Sequence, residues 1–294
     1  MADKRTELLC TQADCHVHAL LDGVWWKTAI DAHREGVNEA IVRRQLEASR
    51  EAGLRYLRDG GDRWGAGELA AKLAGEYGIR YRTPCFPIYK QGHYGAFIGR
   101  GFETWDEYRA LVEEVKTRGG PFVKLMISGL MDFEHYGQLT EEPLTAEEIH
   151  IMADIAHEAG FSVMAHANGD GAVRAAVEAG IESVEHGAYL TEDTLRLLAE
   201  SETVWVPTLS TIGNLIGEGR FPDAVTKPLL EYQQKAVRFA AERGAKIACG
   251  SDAGAYAVRH GQGAKDELGW LRQALGTDAD AVLDAGLAQI MLKF

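Results

Sequence analysis

A chain of 294 residues, 46% of them hydrophobic, is long enough to bury one large core, and a single α/β barrel of roughly 250 residues fits that length. The formal net charge of −13, with no clustered basic residues, argues against nucleic acid or an acidic membrane as a partner. No stretch approaches the roughly 20 uninterrupted apolar residues of a membrane span, and residues 1–7 lack the apolar core of a signal peptide, so a cytoplasmic protein is expected.

Short apolar segments predict strands over residues 8–15, 54–58, 79–85, 122–127, 161–166, 183–186, 203–207 and 246–250. Helix-compatible stretches separate them, at 38–52, 66–77, 105–118, 146–159, 171–179, 192–200 and 224–243, and a last one covers 278–293. Several end at a glycine, Gly53 and Gly160 among them, in the position that caps a helix. Eight alternating βα units close naturally into a (β/α)8 TIM barrel, and no glycine-rich phosphate loop follows the first strand. Even composition without a linker points to one domain over residues 1–294. The four cysteines Cys10, Cys15, Cys85 and Cys249 form no CxxC pair and read as buried thiols.

The chemistry gathers at the predicted strand ends. In Asp14-Cys15-His16-Val17-His18, side-chain alternation places His16 and His18 on one face, with Asp14 one layer deeper on that face. Two neutral imidazoles there suit a metal ion. The fifth, sixth and eighth strands end in His166, His186 and Asp252. Active sites in this fold lie at the C-terminal ends of the strands. The fourth strand holds Lys124 among apolar neighbours. A buried ammonium must shift its pKa, find an anion such as Asp252, or react; with CO₂ it gives a carbamate, an anionic ligand able to bridge two metals.

Taken together, the Asp14–His18 run, Val123-Lys124-Leu125, Ala165-His166-Ala167, Val184-Glu185-His186-Gly187 and Gly250-Ser251-Asp252-Ala253-Gly254 resemble the amidohydrolase superfamily. The closest likeness is to its imidazolonepropionase-related and prolidase-like branch. By that resemblance His16, His18 and Asp252 hold the more buried of two Zn²⁺ ions, or other divalent metals, and His166 and His186 hold the more exposed one. Carboxylated Lys124 bridges the two. Most members flank the barrel with a small β-sandwich; here strand one begins almost at once, so the sandwich is expected to be absent or much reduced.

The implied mechanism is binuclear hydrolysis of an amide-type C–N bond by a hydroxide shared between the ions, with Asp252 moving its proton to the leaving group. A dipeptide or N-acyl amino acid is the substrate class the branch suggests. A lactone, ester or phosphoester is the alternative, and a non-catalytic metal-binding barrel the remote one. Asp14, Asp59 and Asp62 are candidates to orient the ligands. Long loops at 87–101 and 128–143 suggest substrate-binding elements. His93 and Tyr94 on the first, with Tyr232, Arg259 and His260, are the candidate substrate contacts, Arg259 suiting a free carboxylate. The partner is a small molecule, and a homo-oligomer is compatible with the sequence.

Overall fold

Among the described residues ten strands follow one another: β1 (Ala13–Val17), β2 (Tyr56–Asp59), β3 (Arg80–Arg82), β4 (Pro87–Lys90), β5 (Arg100–Phe102), β6 (Phe122–Met126), β7 (Ser162–Ala167), β8 (Ser183–His186), β9 (Val204–Val206) and β10 (Lys246–Ile247). The structure is a computed structural model that describes residues 8–294, so the expectation about residues 1–7 lies outside the described residues.

Every strand pairing is parallel. One run is β1-β2-β3 and the other β10-β9-β8-β7-β6-β4-β5. The predicted third strand, 79–85, is in fact a bent one. Within 79–85 only β3 is strand, pairing with β2; after Pro84 and Cys85, the latter at φ 68°, the stave continues as β4, at the start of the stretch expected to be the 87–101 loop, and pairs with β6. Proline cannot donate to a ladder and a positive φ breaks the pleat, so the strand splits there. On the far side β1 meets the segment after β10 through Cys15 N–H to Cys249 O (2.9 Å) and Asp252 N–H to His16 O (2.8 Å). Counting β3 and β4 as one bent stave gives eight around a closed (β/α)8 barrel. β5 adds to β4 within the loop expected at 87–101, and no β-sandwich accompanies the barrel among the described residues.

Local signals explain the helices. In Trp105–Thr117, Thr104 Oγ1 accepts from Glu107 N–H and the Glu107 carboxylate accepts from Thr104 N–H, while Tyr108, Leu111, Val112 and Val115 form the buried stripe. The same capping box starts Ala146–Glu158 at Thr145 and Glu148. A helix at Gln262–Leu275 lies between the predicted last strand and the final helix, Ala279–Lys293.

Within the barrel the lower layers are packed solid. Phe122, Met164, Val204, Val206 and Ala248 meet Phe294, which turns back under the barrel and packs edge-on against Phe122 at 5.1 Å between ring centres. This floor leaves the C-terminal rim of the strands as the one end able to open into a site. All four cysteines are buried free thiols. No helix among the described residues is long and apolar enough to cross a membrane.

Candidate functional site

The strand ends converge on one cavity of about 530 Å³, lined by His16 and His18 from β1, Lys124 from β6, His166 from β7, His186 from β8 and Asp252 from beyond β10. His16 Nε2 lies 3.3 Å from His18 Nε2, and Asp252 Oδ1 lies 3.6 and 3.3 Å from those two nitrogens. One donor atom from each of the three falls within 4.8 Å of the others. The His166 and His186 rings stand 4.5 Å apart, centre to centre, and His186 is 5.2 Å from His16. Lys124 reaches into the same space, and its buried Nζ has no hydrogen-bond partner.

How β1 turns both histidines inward differs from simple alternation. The β1 register against β2 shifts between Asp14 and Val17. Cys15 packs with the barrel interior at Phe122 and Met164, and the very next residue, His16, also faces inward. Asp14 therefore does not share the face of the histidines as expected. Its carboxylate accepts from Ser251 N–H (2.8 Å) and Ser251 Oγ (2.5 Å), tying β1 to the segment that presents Asp252. A bulge inserts one residue and reverses the alternation beyond it.

At the ends of three staves, residues other than glycine adopt positive φ: His186 at 70°, Thr208 at 50° and Asp252 at 60°. Such backbone costs of order 1–3 kcal/mol per residue and persists only where surrounding contacts over-determine it. At His186 those contacts are explicit, since its carbonyl accepts from Trp205 Nε1 (3.0 Å) and Gln233 Nε2 (2.8 Å) and its Nδ1 engages Thr208 Oγ1 (2.8 Å). The turn lets Glu185 and His186, neighbours in sequence, both point into the barrel.

Glu185 is the residue that sequence reasoning passed over. Its Oε2 lies 2.8 Å from His16 Nδ1, and its Oε1 accepts from Arg58 at 2.8 Å; both Glu185 and Arg58 are fully buried. Arg58 also donates to Cys15 O and Ser183 Oγ, and its guanidinium stacks 4.5 Å above the Phe294 ring. Burial alone would raise the Glu185 pKa, but Arg58 and His16 hold it down to about 2. The available signal was two complementary charges, Arg58 and Glu185, inside apolar strands.

The same low-polarity setting keeps His16, His166 and His186 neutral. Burial, with the Lys124 charge second, lowers His16 to about 4 and His166 to about 3, and burial with His166 beside it lowers His186 well below the usual range. Lys124 itself is lowered to about 8, chiefly by burial. Asp252 is held low by His16 and His18 against the opposing effect of burial. Neutral imidazoles and an ionised carboxylate are the forms that bind divalent cations.

The other candidates fall into two groups. His93 and Tyr94 line the cavity, and Tyr94 lies 5.0 Å from the His166 ring. Tyr232, Arg259 and His260 do not line it. The Tyr232 hydroxyl donates to Leu190 O, and His260 Nε2 pairs with Leu21 O (2.9 Å) in the layer behind β1. Tyr232 belongs to the helix Asp223–Ala241 on the barrel's outer layer, while Arg259 and His260 lie past the chain's return from the rim. Asp62 spends its carboxylate on four backbone N–H groups of Trp64 to Gly67, starting the helix Ala66–Leu73. Asp59 accepts from Ala19 N–H and Thr83 Oγ1. Neither carboxylate hydrogen-bonds a candidate ligand's ring.

A closed parallel barrel with its polar cluster confined to the C-terminal rim is the architecture of a barrel hydrolase. The amidohydrolase family pattern matches residues 14–285, and the chain belongs to that family. It is a hydrolase acting on carbon–nitrogen bonds, in a family that generally uses divalent metals. An uncharacterised protein of Mycobacterium tuberculosis is 31% identical over 301 residues, covering 94% of this chain and 76% of that protein. The ochratoxinase of Aspergillus niger is 30% identical over 195 residues, 62% of this chain and 38% of that one. Its crystal structure superposes with a TM-score of 0.79 at 21% identity over 96% of this chain and 71% of that one. A Xaa-Pro dipeptidase with bound methionine superposes with a TM-score of 0.77 at 19% identity over 100% of this chain and 80% of that one.

Proposed function

We propose that this single-domain barrel is a binuclear metal-dependent hydrolase that cleaves the amide bond of a dipeptide or N-acyl amino acid. The observation that carries the reading is the meeting of His16, His18 and Asp252 donor atoms within 4.8 Å, with the unpartnered Lys124 amine in the same cavity. Those donors fit a divalent ion, and an ammonium without an anion in a buried site fits a lysine whose working form is a carbamate.

In this reading His16, His18 and Asp252 would hold one Zn²⁺, His166 and His186 would hold a second, and Lys124, as a carbamate, would supply a further anionic ligand. Such ions activate water and polarise the scissile carbonyl. Glu185 keeps the His16 proton on Nδ1 and leaves Nε2 as the donor. Asp252, ionised, takes the proton of the attacking water and delivers it to the leaving nitrogen. Tyr94 and the apolar wall, which includes Phe97, Met131 and Leu215, exclude bulk water and hold apolar substrate groups.

The test loads purified protein with zinc, measures bound metal, and assays dipeptides, N-acyl amino acids and lactones side by side. Two ions per chain with amide cleavage is the expected result. One ion or none overturns the binuclear centre, and turnover of lactones alone overturns the substrate class.

A further inference from the structure

Apart from the ligand cluster, two formally charged side chains line the cavity, Glu141 and Arg220. Arg220 stands out because it has ring neighbours and no acid. Its guanidinium lies 4.2 Å from the ring centre of Tyr256, 4.9 Å from Trp25 and 5.1 Å from Phe221. Arg220 is itself exposed, and no carboxylate pairs with it among the described residues, whereas Arg43, Arg196 and Arg272 are all paired with carboxylates. Phe221 in turn packs on Phe133 from the loop after β6, 5.3 Å away, so two separate loops fix the cage.

Rings hold the faces of a guanidinium and leave its N–H edge unspent. A guanidinium that lines an apolar cavity and has no carboxylate of its own is suited to bidentate binding of a substrate carboxylate, for which arginine has the matching planar fork. We infer that Arg220 recognises a free carboxylate on the substrate, so that the preferred substrate is an N-acyl amino acid with an apolar side chain. Arg220 binds the acid, and Trp25, Phe221 and Tyr256 flank it. In the reaction, water adds across the amide, the C–N bond breaks, and the products are a carboxylate and an amino acid whose nitrogen has gained the proton. This role rests on the hydrolytic reading above. It assigns substrate selection to Arg220 in place of Arg259, which does not line the cavity.

The experiment compares N-hexanoyl-phenylalanine with its C-terminal carboxamide on zinc-loaded wild type, Arg220→Met and Arg220→Lys. Wild type is expected to favour the acid in kcat/KM by on the order of 10- to 100-fold, the range of a hydrogen-bonded charge. In Arg220→Met that preference falls toward one, through the KM of the acid, and Arg220→Lys keeps part of it. An unchanged acid-to-amide ratio in Arg220→Met overturns the inference. If wild type cleaves neither compound, the hydrolytic reading fails separately, and calorimetric binding of 3-phenylpropanoate against 3-phenylpropanamide decides the role of Arg220. Weaker binding of the acid alone to Arg220→Met supports it, and equal binding to both proteins overturns it.

Discussion

Oε2 of Glu185 lies 2.8 Å from Nδ1 of His16, with both side chains closed off from solvent. A carboxylate in that position fixes the imidazole tautomer and raises the basicity of the opposite nitrogen. Glu185→Gln is expected to weaken zinc affinity by about 10- to 100-fold, the usual cost of losing an orienting partner. Competition against a chromophoric chelator measures it, and unaltered affinity would remove Glu185 from the metal site.

Arg58 and Glu185 form a buried pair on the floor of the site. Taking away one partner strands the other charge, so Arg58→Met should lower folding stability by about 3–5 kcal/mol. Urea titration reads this. The double variant Arg58→Met, Glu185→Gln should recover part of the loss, because no uncompensated charge then remains.

Lys124→Ala is expected to lose bound metal and activity, with partial return of both when a short-chain carboxylic acid is added to stand in for the missing ligand. Growth with ¹³C-labelled bicarbonate should give a carbamate carbon signal in the wild type and none in the variant. Full metal content in Lys124→Ala without added acid contradicts the bridging role.

Gly60 follows β2, and a Cβ built on it would lie 2.2 Å from Cε1 of His18. Gly60→Ala must therefore displace the imidazole. The expected outcome is loss of metal affinity with little change in far-ultraviolet circular dichroism. Native affinity in this variant would separate His18 from the metal site.

Glu267 is buried with Oε2 accepting from Ser210 N–H (2.6 Å) and Oε1 unpartnered, and burial raises its pKa from 4.5 to about 8. The folded state keeps this proton up to about pH 8, whereas the unfolded chain releases it near 4.5. Its contribution to stability is complete below 4.5 and is lost as pH rises through 8. Thermal midpoints measured from about pH 5 to about pH 9 should decline less in Glu267→Gln than in the wild type. Parallel declines would show that Glu267 ionises normally in the fold.

Legible in the sequence were the alternation of strands and helices, the barrel that eight such units close, and the polar strand-end residues His16, His18, Lys124, His166, His186 and Asp252 that line one cavity. These were legible because hydrophobic periodicity is local and polar residues inside apolar strands have few explanations. The irregularities that set which side chains face the site were not legible there. The bulge in β1 sent Asp14 to Ser251, and the left-handed turn at His186 brought Glu185 to His16. Strict alternation carried through either irregularity assigns the wrong face. Substrate contacts were less legible still, since Arg220 joins Trp25 and Tyr256 across long stretches of chain while Tyr232, Arg259 and His260 do not line the cavity. Position after a strand says that a loop is near the rim; which side chain enters the cavity depends on how loops distant in sequence pack against one another.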